Sequence, residues 1–184
     1  TDYLDLYLIH WPASPRLYPD WAKINADTWR GMEALYREGV VKAIGVCNFK
    51  AHHLLELEKT AQILPMVDQL EIHPGMLQAD TVAFCREKEI VVEASSPLGN
   101  GQILQQEALG RIAEKKGKTA AQICLRWGLQ KELVIIPKTA NADRLSENME
   151  LFDFHLEPEE IDRIDRMPWC GGIGIDPDEV TEFG

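Results

Sequence analysis

The chain has 184 residues, 45% hydrophobic and 27% charged, which is enough for one domain with a sizeable core. Its formal net charge of −11 at pH 7 excludes nucleic acid and anionic membrane as general partners, because both would repel it, so any bound anion needs a local basic pocket. Four cysteines without paired spacing, and no secretory or membrane-spanning apolar run, point to a reduced cytoplasmic setting.

In chain order, the apolar and aromatic run Leu4 to Ile9 reads as a buried strand that exits through His10-Trp11-Pro12 into a proline-containing loop. Trp29, Met32, Leu35 and Tyr36 recur at helical spacing, Gly39 stops that helix, and Val40 to Val46 forms the next strand. Leu54 to Leu57 reads as helix, Met66 to Ile72 as strand, Val82 to Lys88 as helix and Ile90 to Ala94 as strand. Ala120 to Leu129 is a helix with Ile123, Cys124 and Trp127 on one face, and Leu133 to Ile136 is a strand. This alternation implies a parallel sheet covered by helices, either doubly wound or closed into a barrel. The whole of residues 1–184 reads as a single domain, with no linker and no low-complexity stretch.

The segment from Ile136 to Asn148 ends a strand with Lys138 and Thr139 and opens a helix carrying Arg144. Backbone N–H groups at a helix start, with the positive end of the helix dipole, suit an anionic phosphate, and the added cations suggest a nucleotide with an extra phosphate. Polar residues also follow the other strands directly: His10, Asn48, and Ser95 with Ser96. A barrel gathers such strand ends on one rim. A doubly wound nucleotide fold would want a Gly-x-Gly-x-x-Gly turn, and none occurs. The barrel is therefore the expected fold.

Five motifs, Leu8-Ile9-His10-Trp11-Pro12, Ile44-Gly45-Val46-Cys47-Asn48-Phe49, Gln69-Leu70-Glu71-Ile72-His73-Pro74, Ser96-Pro97-Leu98-Gly99 and Ile136 to Asn148, resemble the aldo-keto reductase family in order and spacing. The likeness runs from Thr1 to about Phe154 and on through a Pro158 to Met167 helix, with a flavour of the bacterial diketogluconate and methylglyoxal reductases. It implies a TIM-type (β/α)8 barrel, here a partial one with about the last five βα units, and an NADPH-dependent reduction of aldehydes or ketones by hydride transfer. By the resemblance, His10 polarises the substrate carbonyl, and Asn48 and Gln69 bind the nicotinamide carboxamide. Lys138, Thr139, Arg144 and Asn148 take the adenosine phosphate and adenine, with Arg144 on the phosphate that distinguishes NADP(H) from NAD. Glu147 is placed near the adenine amino group, Trp11 and Trp169 in the substrate pocket, and residues 168–184 form a tail across the barrel mouth.

Two departures stand beside these matches. Ser95 occupies the position where the family commonly stacks an aromatic ring on the nicotinamide, a loss of about 1 kcal/mol. The family's proton-donating tyrosine, its lysine and its aspartate precede the strand that ends at His10, and almost nothing precedes it here. Tyr18 and Lys50 lie near enough in sequence to approach the rim, but neither matches the motif. The expectation is an N-terminally truncated reductase, doubtful in turnover alone, whose end strands are covered by a missing segment or by oligomerisation. Two other readings remain: a non-catalytic NADP-binding or interaction module, and a metal-dependent barrel hydrolase using His10, Asp68, Glu71 and His73. No metal is expected, since Asp68 and His73 have odd separation on one strand. The adjacent His52 and His53 read as surface residues of a helix.

Overall fold

Strands form in this chain where short apolar runs find a partner on either side. β2 (Ile44–Cys47) is buried at every position and pairs in parallel with both β1 (Tyr7–Ile9) and β3 (Val67–Glu71). Gly45 makes that close pairing possible, because a Cβ there would lie 2.7 Å from the Leu8 side chain and against the Val67 carbonyl. The structure, a computed structural model, describes residues 2–181. Five strands follow one another in a single sheet, β1-β2-β3-β4-β5, with β4 (Val91–Ser95) parallel to β5 (Val134–Ile135). Bonds from the Val91 N–H to the Met66 carbonyl and from the Ile72 N–H to the Ser95 carbonyl set β3 beside β4.

The helices lie between the strands: α1 (Trp21–Arg37), α2 (Ala51–Glu58), α3 (Ala79–Glu87), α4 (Glu107–Lys116), α5 (Ala120–Gln130), α6 (Ala142–Met149) and α7 (Pro158–Asp165). The strand-to-helix alternation read from the sequence is therefore present, although β1 starts at Tyr7 and not Leu4, and β5 has only two residues. Leu4 bridges to Val41 without extending the ladder, and Pro137, which lacks an N–H, ends β5. Among the described residues no helix is long and apolar enough to cross a membrane.

Two compact units emerge from the packing. Of the described residues, the first contains 2–70, 79–92 and 175–181; the second contains 71–78 and 93–174. In the first, α1 buries Asn25, Trp29, Met32 and Glu33 along one face. The Trp29 indole donates to the Ile63 carbonyl at 2.9 Å, and the buried Glu33 carboxylate accepts the Gln62 and Ile63 N–H groups at 2.7 and 2.8 Å. These bonds fix the chain that leads into β3. In the second unit, Thr119 and Gln122 cap α5 reciprocally, and the buried Trp127 donates to Asp165 of α7 at 2.7 Å.

One buried group in the first unit has a pH signature. Asp68 on β3 is fully buried, takes a backbone bond from Phe49, lies 4.0 Å from the Cys85 sulfur, and leaves Oδ1 without a partner. Burial holds its carboxyl well above the usual carboxylate range, with the Phe49 bond only partly opposing. The fold thus keeps a proton that the unfolded chain releases near pH 4, so this stability is complete below that value and is lost as pH rises toward the folded pKa. Urea unfolding at pH 5 and pH 8 should show the native chain losing more stability over that interval than Asp68→Asn does. Parallel losses would mean the carboxyl is ionised in the fold.

Candidate active site

In the first unit, His10 stands immediately after β1, whose Ile9 is in register with Val46 of β2. Asn48, just past β2, adopts a left-handed backbone with φ 61°. Its N–H donates to the Gln69 carbonyl at 2.9 Å, and its Nδ2 donates to the His10 carbonyl at 2.9 Å. Because a carbonyl only accepts, this second bond fixes which way the Asn48 amide points. One N–H and the oxygen of the amide remain for a ligand. His10 and Trp11, with ring centroids 6.1 Å apart, enter a cavity of about 850 Å³ whose wall includes Tyr18, Asn25, Ile175 and Val180. Sequence reasoning placed His10 and Trp11 there but had no signal for Asn25, whose approach depends on how α1 packs.

The second unit gathers Lys138, Thr139, Arg144, Glu147 and Asn148 around a separate cavity of about 630 Å³, with Ser96 also in its wall. The Asn141 side chain caps α6 by accepting the Arg144 N–H at 3.1 Å, and the Thr139 hydroxyl accepts the Asn141 N–H at 3.1 Å. The loop and the helix start are thereby held in place beside the cavity. Glu147 is partly committed, since its carboxylate accepts the Thr119 hydroxyl at 2.7 Å. Among the described residues Lys138 and Arg144 take no acidic partner, although most cations of this acidic chain do. Ser95 is the last residue of β4, and the cavity wall is formed by the next residue, Ser96, at φ 46°. Trp169 is 62% exposed and lies against Gly174, outside both cavities.

Several sequence expectations change here. Lys50 is no free partner for a tyrosine: its ammonium bonds Asp176 at 2.5 Å and Asp178 at 3.0 Å. Burial works against that ammonium, but the two carboxylates outweigh it and raise its pKa. The His52 and His53 pair is not simply surface, because His53 is only 1% exposed. Among the described residues the hydrolase set does not appear as a group at ligating distance. Glu71 instead accepts the Ile173 and Gly174 N–H groups at 2.6 and 2.9 Å, and among the described residues the group at ligating distance is His52, His53 and Asp178. That group is poorly suited to a cation. His53 Nδ1 accepts the Lys50 N–H, which leaves the ring proton on Nε2, and Lys50 already holds Asp178. It acts as a clasp on the tail, with the Ser14 hydroxyl on the Asp178 carbonyl and Arg16 paired to Glu179. Residues 182–184 of the expected tail lie outside the described residues.

Comparison with known proteins gives these features a family. The model of the aldo/keto reductase family matches residues 1–168. The chain is 47% identical to glyoxal reductase of Bacillus subtilis over 179 residues, covering 97% of this chain and 62% of that protein. It is 41% identical to methylglyoxal reductase DkgA of Salmonella typhimurium, covering 97% of this chain and 63% of that one. Among solved structures, a Gox0644 variant in complex with NADPH superposes with a TM-score of 0.88 at 38% identity, over 98% of this chain and 65% of that chain. The chain belongs to the aldo/keto reductase family, and its parallel βα repeat is part of the (β/α)8 barrel of that family. It spans a little under two thirds of the length of the curated relatives it matches.

The clasp makes the fold sensitive to acid. Burial, with the charge of His52 adding to it, pushes the His53 imidazole down to about 4. The unfolded chain takes up this proton near pH 6.5 and the fold refuses it, so the stability is present above that value and is lost as pH falls toward 4. Between pH 7 and pH 4.5 the native chain should lose roughly 2–3 kcal/mol more than His53→Phe in denaturant unfolding. Equal slopes would place the imidazole in contact with water.

Proposed function

We propose that this chain carries the cofactor-binding and carbonyl-polarising residues of an NADPH-dependent reductase that converts aldehydes and ketones to alcohols. The observation that carries the reading is the pair Lys138, in the loop before α6, and Arg144, in its first turn, which line one cavity and take no acidic partner among the described residues in a chain of net charge −11. An unpaired guanidinium beside a helix N-terminus suits a phosphate monoester, the group that separates NADPH from NADH. Asn48 and Gln69 suit a carboxamide by their donor and acceptor groups. The names of the relatives, glyoxal and methylglyoxal reductase, support a carbonyl substrate.

Bound at these residues, NADPH supplies the hydride. The residues of this chain bind and orient. His10, fixed through its carbonyl by Asn48, offers a hydrogen bond to a substrate oxygen as negative charge develops there. Lys50, committed to Asp176 and Asp178, takes no part in proton delivery. The four cysteines have no paired spacing in the sequence, which suits a reducing cytoplasmic compartment.

Calorimetric titration of the chain and of Arg144→Ala with NADPH and NADH tests the assignment. The substitution should weaken NADPH by about 1–3 kcal/mol, the range of a hydrogen bond to a charged group, and leave NADH nearly unchanged. Equal losses for both nucleotides would remove Arg144 from the phosphate site.

A further inference from the structure

α6 brings Arg144 and Asn148 to the wall of the cavity of about 630 Å³, yet it has no apolar anchor of its own. Its large apolar side chains, Leu145 and Met149, are 55% and 69% exposed, and Asn148 is its one buried residue. Eight residues are also too few for a helix to persist in water by local propensity alone. Leu151 beyond it is buried, and its carbonyl accepts from Arg126 at 3.2 Å, which anchors the following chain but not the last turn of the helix. The place of α6 therefore depends on polar contacts at its ends.

At the last turn those contacts start from one side chain of α5. Gln122 is 4% exposed, and its Oε1 accepts the Thr119 N–H at 3.0 Å, which fixes the amide orientation, because a backbone N–H must meet the oxygen. The amide hydrogens are thereby turned to α6: Nε2 donates to the Glu147 carbonyl at 3.1 Å and to the Glu150 carbonyl at 3.3 Å. The last carbonyls of a helix lack intrahelical partners, so Gln122 acts as a cap supplied from outside α6. Thr119 adds a second tie, its hydroxyl accepting the Gln122 N–H at 3.2 Å and donating to the Glu147 carboxylate at 2.7 Å. Both donors of the Gln122 amide are used within the fold, and Gln122 does not itself line the cavity.

We propose that Gln122 is a positioning residue for nucleotide selectivity: by holding the last turn of α6 it sets where the Arg144 guanidinium and the Asn148 amide stand. The nucleotide rests on the reductase reading above, whereas the tether rests on the Gln122 bonds alone. Without that side chain the Glu147 and Glu150 carbonyls lose their donor, and a short helix with no apolar anchor is free to fray or shift. A hydrogen bond from a guanidinium to a phosphate depends steeply on distance and angle. Displacement of α6 thus costs the phosphate contact more than it costs the rest of the nucleotide.

Gln122→Met tests the assignment, since methionine keeps the length of glutamine, adds no charge, and leaves the Thr119 hydroxyl its bond to the backbone N–H of position 122. Calorimetric titration should show NADPH weakened at least roughly fivefold more than NADH. In the Arg144→Ala background the same substitution should weaken both nucleotides equally, because the phosphate contact it acts through is already gone. A general loss of stability would instead lower both affinities together in either background. Amide exchange of the ligand-free chain gives a second readout. The Leu145 and Asn148 N–H groups should exchange at least roughly fivefold faster in Gln122→Met, while those of Leu125 and Trp127 in α5 keep their native rates. Should Gln122→Met fail to fold, Gln122→Glu, which keeps an oxygen for the Thr119 N–H but turns a second oxygen onto the two carbonyls, allows the same exchange comparison. A native NADPH-to-NADH ratio in Gln122→Met, a changed ratio that persists in the Arg144→Ala background, or native exchange in α6 would each overturn the positioning role. A native chain that binds neither nucleotide, with α6 exchange still raised by the substitution, would remove the reductase reading and retain the tether.

Discussion

Asn48 closes the ends of three strands with two hydrogen bonds. Its backbone N–H reaches the Gln69 carbonyl on β3 and its side-chain amide reaches the carbonyl of His10, just past β1, while the residue itself follows β2. Parallel ladders hold strands in fixed register but leave their last carbonyls without partners. A left-handed backbone at Asn48, tolerated by asparagine better than by most residues, turns the chain so that one side chain serves both neighbours. The position of His10 thus depends on a residue remote from it in sequence.

The same reliance on single polar groups holds the scaffold behind the site. Glu33 is buried, yet its carboxylate is satisfied by two consecutive backbone N–H groups at Gln62 and Ile63, with Arg37 at 3.4 Å. A charge is tolerable in such a place only when it is hydrogen-bonded and paired. Together with the Trp29 bond to Ile63, this sets the approach of the chain to β3, and with it the placement of Gln69. Glu71 does comparable work in the second unit, where it gathers the N–H groups of the glycine-rich turn at Ile173 and Gly174.

Much of the fold was legible because a buried parallel strand is a nearly unbroken apolar run, as β2 is, while β3 and β4 kept enough apolar residues, with Ile72 and Ile90 beside them, to be read despite Asp68, Gln69, Glu71 and Glu93. α4 was not read. Its buried Leu109, Ile112 and Ala113 have helical spacing, but Gly110 interrupts the segment and charged residues dominate its exposed face. Candidate residues that directly follow strands, such as His10, Asn48 and Lys138, could be found from their position. Asn25 could not, since nothing about an asparagine in an amphipathic helix tells whether its amide is satisfied. His53 was misread for a related reason: next to His52 it looks solvated, but it lies beneath Phe49 and Trp21, with ring centroids 5.7 and 5.2 Å away.

Charge is distributed so that each unit offers a different environment. In the first, the acidic tail neutralises the nearby cations: Asp176 and Asp178 hold Lys50, Asp178 reaches His52, and Glu179 holds Arg16. Among the described residues that line the His10 cavity, Glu179 is paired with Arg16, and Trp11, Ile24, Ile175 and Val180 make much of the rest apolar. In the second, Lys138 and Arg144 have no carboxylate partner among the described residues and line one cavity. Interactions of exposed charges fade within about 10 Å at ordinary ionic strength, so this local arrangement outweighs the net −11 in deciding which anions a cavity accepts. The phosphate proposed for the Lys138 and Arg144 cavity rests on this local arrangement and not on the charge of the whole chain.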